Sequence, residues 1–397
     1  MVMHTEGIAA RSLSRRELDA ALLEAHGQTW AILADLKSAQ WQVPYDPGIN
    51  PPLWEYGHIA WFTEWWALRE ARRNEHGEVV STCPSLLPGA DAWFDSSRIA
   101  HHARWDLELP ALAALRDYAA AVLDSVRSRL AGSSDDDAGL YFFRLALFHE
   151  DMHAEALSYM RQTLNYPSPL PLDLPTRVRE GEVDIPAGPF RLGSPADAGF
   201  VFDNEKWAHE VWLPAFRINR QCVSNAAYAE FVAAGGYHDP RWWSGEGSAW
   251  LRQSGLSQPR RWRRSPGGDW QQLWFGQWQR LPPDQPVCHV NAFEAEAYCR
   301  WAGRRLPSEA EWECAAQLGL IDWGGSVWEW AADAFAPYPG FSTDPYRDYS
   351  EPWFHTHRSA RGGSLATRTR MHHPRYRNFY LPHRNDIFIG FRTCALA

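Results

Sequence analysis

Two histidines, His149 and His153, stand four residues apart in the run Tyr141 to Thr163, YFFRLALFHEDMHAEALSYMRQT. On an α-helix each residue turns the chain by about 100°, so positions four apart lie about 40° from each other and both imidazoles can grip one ion. The same letters admit two chemistries. Read as H-E-x-x-H, the stretch has the form of a zinc peptidase helix, with Glu150 as general base beside a metal-bound water. Read as H-x3-H-x-E, the pair is followed by Glu155, which points off the shared face and takes a supporting or structural role. A plainer third reading leaves the pair as helix surface or as satisfied core histidines.

A third ligand would have to come from another element. Residues 14–38 place Leu18, Ala21, Leu22, Ala25, Trp30, Leu33 and Leu36 near a 3.6 period, with Ser14 and Glu17 forming a capping box. After the breaker VPYDPGINPP a second helical run, LWEYGHIAWFTEWWALREARR, carries His58 among Trp54, Ile59, Trp61, Phe62, Trp65 and Trp66. A helix apolar on most sides is a buried one. An irregular passage, residues 74–110, precedes a third helix over 110–131, and the polar turn GSSDDDAG leads into the histidine helix. Four helices with long connections predict a four-helix bundle, whose core is a place where ligands from facing helices meet. Three neutral imidazoles from His58, His149 and His153 suit iron(II), zinc or copper(II).

The chain has 397 residues, 45% hydrophobic and 22% charged, with a net charge of -9. Its length predicts two domains. The acidic balance argues against a nucleic-acid surface. No apolar run is long enough to cross a bilayer and the first residues lack a signal peptide, so a cytoplasmic protein is expected. The six cysteines, Cys83, Cys222, Cys288, Cys299, Cys314 and Cys394, form no C-x-x-C pair and are read as free thiols in a reducing compartment. A proline-rich linker, NYPSPLPLDLPTRVREGEV, separates the helices from a half of different texture. There VDIPAGPFRLGS reads as strand and turn, AHEVWLPAFRINRQCVSNAAYAEFVAAGGY as strands and a short helix, and VNAFEAEAYCRWAGRRLPSEAEWECAA as two helices about a G-R-R-L-P turn. The fold class is α+β.

The segments IPAGPFRLGS, FDNEKWAHEV, QPVCHVNAFEAEAYCRWAGRRLPSEAEWE, WGGSVWEW and RGGSLATR resemble the formylglycine-generating-enzyme-type module, a C-type-lectin-like fold. Preceded by a DinB-like helical bundle, the whole resembles the ergothioneine-biosynthesis sulfoxide synthases. The resemblance implies a bundle over 10–165, a linker over 166–182 and the lectin-like domain over 183–397. It implies a non-haem iron(II) held by His58, His149 and His153, with dioxygen as co-substrate and small molecules as partners: hercynine and a chalcogen donor joined at the imidazole C2. The peptidase reading then recedes, and a silent carbohydrate-binding protein on the lectin-like module stays a remote alternative.

The resemblance also distributes roles. Tyr346, in the segment Pro345-Tyr346-Arg347-Asp348-Tyr349, becomes the proton donor, with Tyr349 as a pocket hydroxyl. Asn378 and Phe379 are expected against the betaine end of hercynine. The family's donor clamp, two arginines in an R-x-x-R loop, reads here His101-His102-Ala103-Arg104, so one arginine is a histidine. Tyr380 stands where an aspartate is expected, Arg384 follows it, and Met152 replaces a glutamine. Loss of charge at a site for a dicarboxylate donor points to the selenoneine synthase branch with an uncharged selenosugar. The alternative donor is γ-glutamylcysteine or cysteine.

Overall fold

The computed structural model describes residues 2–75, 78–176 and 180–396. Six helices precede the strand-rich half: α1 (Val2–Ala10), α2 (Arg15–Leu33), α3 (Pro52–Ala67), α4 (Ala90–Phe94), α5 (Leu112–Ala131) and α6 (Asp137–Thr163). Helices α2, α3, α5 and α6 pack on one another as the expected bundle. The capping box is present, the Ser14 amide donating to Glu17 at 2.9 Å. Two helices stop earlier than their patterning suggests. α2 ends at Leu33 because buried Arg161 takes both Asp35 carboxylate oxygens, at 2.5 and 2.9 Å, together with the Ile32 carbonyl at 2.6 Å. α3 ends at Ala67 because Arg69 is drawn onto Asp91, and Arg72–Arg73 then pairs with Val79–Val80 as a short hairpin. α6 begins four residues before Tyr141, its amide at Gly139 capped by Asp136 at 2.7 Å.

The second half contains α7 (Asn225–Ala233), α8 (Gly245–Ser254), α9 (Ala292–Trp301) and α10 (Glu309–Gln317) among short strands. One four-stranded sheet runs Arg304–Arg305, Cys394–Ala395, Phe216–Asn219, Glu182–Ile185, so Cys394–Ala395 lies between Arg304–Arg305 and Phe216–Asn219. A second runs Asn378–Tyr380, Arg358–Arg361, Trp328–Ala334, Ile389–Gly390. The expected helix pair about G-R-R-L-P is α9 and α10, joined through Gly303 at φ +64°. Helix α8 and the three-stranded sheet over 262–280 have no counterpart in the sequence reading. The proline-rich passage is packed on the second half, Trp274 donating to the Leu172 carbonyl at 3.0 Å; residues 177–179 of it lie outside the described residues. All six cysteines are free thiols. No described helix is long and apolar enough to cross a membrane.

Helix α6 belongs to both halves. At heptad-like positions it meets the strand-rich half: Tyr141 donates to Asp344 at 2.9 Å, Phe148 packs on Phe200 and Phe202, and Asp151 accepts Arg370 at 2.6 and 2.9 Å. Glu155 accepts the Trp328 indole at 2.7 Å, Ser364 at 2.5 Å and Thr367 at 2.6 Å. Glu155 therefore has the structural role its position off the histidine face implied. Burial pushes its carboxyl up, and the three donors oppose that shift. Replacing Glu155 with Ala leaves three buried donors without their acceptor. It is expected to cost about 2–5 kcal/mol of unfolding free energy, read by urea denaturation; an unchanged midpoint would contradict this.

Candidate metal centre

One ligand atom from each of His58, His149 and His153 lies within 4.8 Å of the other two. α3 supplies the first and α6 the others, the two Nε2 atoms on α6 standing 3.2 Å apart. The outer ring nitrogens are fixed independently. His58 donates from Nδ1 to the Phe94 carbonyl at 2.8 Å, which is the work of short helix α4 in the irregular passage. His153 donates from Nδ1 to Glu55 at 2.6 Å, a carboxylate one turn before His58 on α3 and almost wholly buried. Each bond sets the tautomer so that Nε2 carries a free lone pair towards the centre. His149 is held by packing instead, its ring stacked on Phe62 with centroids 3.4 Å apart. Trp54 stacks on His58 at 4.8 Å. Burial drives the His58 and His149 pKa values well below the ordinary histidine value, with neighbouring imidazoles adding to the shift. Both rings are therefore neutral, the form that binds metal. The residues fit a three-imidazole metal site.

His153 is half-buried and opens onto a cavity of about 200 Å³ lined also by Met152, Tyr159, Tyr376, Asn378 and Tyr380. Alternation along Asn378–Tyr380 puts Asn378 and Tyr380 on the cavity side, the Asn378 amide donating to the Tyr380 hydroxyl at 2.9 Å. Phe379 faces the other way, stacked on Phe335 at 4.1 Å. Phe379 thus lies on the opposite face of the strand from Asn378 and does not line this cavity. Tyr159 and Tyr376 were missed by sequence reasoning. Tyr159 is signalled by its position seven residues beyond Met152 and four beyond Glu155, on the same side of α6 as both; Tyr376 carries no local signal.

Tyr346 lies on the other side of the histidines. Its ring meets Phe62 edge-on at 4.9 Å and stands 6.4 Å from His149. Burial and the nearby Asp348 and Asp95 carboxylates push its pKa up, so the phenol keeps its proton. Tyr349 is stacked on Phe202 at 4.7 Å and hydrogen-bonded to Tyr376. Arg104 sits over Trp54 at 4.0 Å and donates to Asn50 at 2.6 Å, while its buried Nε has no partner. Burial lowers its pKa to about 10. His101 is occupied by the Ile49 carbonyl at 2.8 Å. Arg384 is occupied by Asp386, two bonds at 2.6 Å, and by the Gly48 carbonyl at 2.9 Å. Glu150 points into the bundle among Leu22, Tyr56, Ala119 and Val122, where burial pushes it up to about 8. Its carboxylate is therefore turned into the bundle and away from the cavity onto which His153 opens, so it is not placed as the general base that the peptidase reading requires.

The depressed histidine values make a prediction for metal-free protein. The unfolded chain takes up these protons first, so the contribution of His58 and His149 is whole above about pH 6.5 and is lost as pH falls towards their native values. Stability measured by urea denaturation from pH 7 to 5 is expected to fall less steeply in His58→Gln/His149→Gln than in the parent. The difference is at most about 1.4 kcal/mol per pH unit for each histidine; equal slopes would contradict the assignment of buried neutral rings.

Comparison with known proteins matches two family models to separate parts of the chain. The DinB superfamily model matches residues 21–157, and the Sulfatase-modifying factor enzyme 1-like domain matches residues 170–318 and 316–396. A hercynine oxygenase of Mycolicibacterium thermoresistibile is 35% identical over 95% of this chain and 94% of its own length. One from Mycobacterium tuberculosis is 33% identical over 96% of this chain and 98% of its own. Among solved structures, PvdO from Pseudomonas aeruginosa covers 54% of this chain and 93% of its own at 22% identity and a TM-score of 0.35, too low to support an argument. With relatives of that identity aligned along nearly their whole length, and both domain types in place, the chain belongs to the hercynine oxygenase family.

Proposed function

We propose that this protein is a non-haem iron(II), dioxygen-dependent enzyme that joins a chalcogen donor to the imidazole C2 of hercynine. The observation that carries the reading is the convergence of His58, His149 and His153, two of them with outer nitrogens fixed by hydrogen bonds, where His153 opens onto a cavity faced by Tyr159, Tyr376 and Tyr380. Iron(II) bound there would supply dioxygen activation and open positions for the substrates. The cavity's tyrosine faces and the Glu155 carboxylate behind them suit a quaternary ammonium. Asn378 offers its amide to the polar end, and Met152 fills the apolar wall beside His153. Tyr346, protonated and close to His149, is the chain's proton donor to the reacting centre. Tyr349 supports it from the same segment.

The donor we infer is an uncharged selenosugar, making this a selenoneine synthase. The support is electrostatic. Of the three cationic candidates on the donor side, Arg384 is already paired with Asp386, and His101 is tied to a carbonyl with its pKa lowered by burial. Arg104 keeps a buried Nε without a partner, and a donor with two carboxylates would call on more fixed charge than that. The alternative is γ-glutamylcysteine or cysteine held by Arg104. We place the modules at 10–165 and 183–397 with the linker between them. Six free thiols suit a reducing cytoplasm.

Three experiments test this. A His149→Ala/His153→Ala variant is expected to lose iron on anaerobic loading; full iron occupancy would refute the site. Glu55→Ala, which frees the His153 ring, should weaken iron binding about 10- to 100-fold in a competition titration. Undiminished affinity would show that Glu55 does not orient a ligand. Anaerobic binding followed by an oxygen pulse, with hercynine and in parallel selenosugar, thiosugar, cysteine and γ-glutamylcysteine, should give the selenosugar adduct by mass. Clear preference for γ-glutamylcysteine would overturn the donor assignment.

A further inference from the structure

Tyr346 sits on a segment whose regular structure is a single 3-10 turn, Arg347–Tyr349. Its ring position is therefore set by whatever pins the ends of that segment. At the upstream end Asp344 accepts Lys206 Nζ with both carboxylate oxygens, at 2.5 and 2.8 Å, and the Tyr141 hydroxyl at 2.9 Å. At the downstream end the wholly buried Ser350 hydroxyl donates to Asp203 at 2.5 Å. Asp203 and Lys206 flank one short turn, Asp203–Glu205, so a single turn of the second half holds both ends of the Tyr346 segment. Tyr141 adds the metal helix, two turns before His149.

An exposed ion pair would contribute little and hold nothing in place. This pair is different: the Lys206 and Asp344 side chains are 16% and 19% exposed, and a third donor completes the carboxylate. Pro345 lies between two hollows, one of about 250 Å³ walled by Trp61, Phe62 and Tyr346, the other of about 440 Å³ walled by Tyr141, Phe200 and Lys206. With open space on either side, the fixed contacts at the upstream end of the segment are those of the carboxylate.

We propose that Asp344 is a positioning residue, which through Lys206 and Tyr141 ties the Tyr346 segment to both α6 and the second half and so keeps the Tyr346 ring against Phe62 and beside His149. The proposal rests on the reading of Tyr346 as the proton donor. It differs from a merely structural role in one respect: the effect of Asp344 on turnover passes through the Tyr346 hydroxyl.

The test is a double-mutant cycle in the full-length, iron-loaded protein, with hercynine and whichever of selenosugar, thiosugar, cysteine or γ-glutamylcysteine turns over fastest. Asp344→Asn is expected to lower kcat about tenfold or more, with iron content retained and amide hydrogen exchange accelerated in 344–350 but not in α3. In a Tyr346→Phe background the same change should cost almost nothing further. Lys206→Met and Tyr141→Phe, which each remove one donor and keep the carboxylate, run the same cycle if Asp344→Asn does not fold. Losses that multiply independently of Tyr346, or an unchanged kcat with unchanged exchange, overturn the positioning role while leaving the function standing. An unchanged rate and product profile in Tyr346→Phe alone overturns the proton-donor reading and the positioning role with it.

Discussion

A carboxylate taken out of water must find donors, and the Glu155 carboxylate finds all three of its donors in the other half of the molecule. Much else follows from that constraint. Glu155 lies on α6, the helix that carries His149 and His153, so satisfying it fixes the rotation of the metal helix against the second half. Asp151 with Arg370 and Gln162 with the Phe275 amide, at 2.5 Å, repeat the arrangement one turn earlier and two turns later. Polar contacts at heptad spacing leave the histidine face free to look elsewhere. The histidine cluster is thus built inside the bundle, yet its outward face is completed by residues more than two hundred positions away.

The histidines themselves show how a buried site selects its tautomers. His58 donates its outer N–H to a backbone carbonyl and His153 donates its outer N–H to a carboxylate, so both present Nε2 inward. Their acceptors come from different places: a carbonyl of α4 in an irregular passage, and Glu55 on the helix of His58 itself. The 74–110 passage is therefore part of the site rather than decoration. Beyond the ligands, the two sides of the centre differ in kind. Towards His153 lies a small tyrosine-faced cavity; towards His149 lies Tyr346 on its pinned segment.

The sequence discloses the parts that depend on local spacing. An i, i+4 histidine pair, a third histidine on an apolar helix, a capping box at Ser14 and the helix pair about G-R-R-L-P are short-range patterns, and each appears where spacing places it. The position of Glu155 off the histidine face is of the same sort. Helix ends are less legible, because α2 and α3 are stopped by Arg161 and Arg69 reaching for partners that no window of residues reveals. The cavity lining is least legible. Phe379 and Asn378 are neighbours in sequence but lie on opposite faces of one strand, and Tyr376 and Tyr159 meet only through folding. Arg384 is already paired with Asp386 and His101 is tied to the Ile49 carbonyl, so composition overstates the charge available to a substrate.

The account stands on one centre serving one cavity. Diffraction from crystals grown anaerobically with iron(II) and hercynine, recorded at the iron absorption edge, examines it directly. It predicts one anomalous peak at coordination distance from Nε2 of His58, His149 and His153, with hercynine in the cavity lined by Tyr159, Tyr376, Asn378 and Tyr380. An empty histidine cluster, or hercynine bound away from that cavity while iron occupies the cluster, would contradict it.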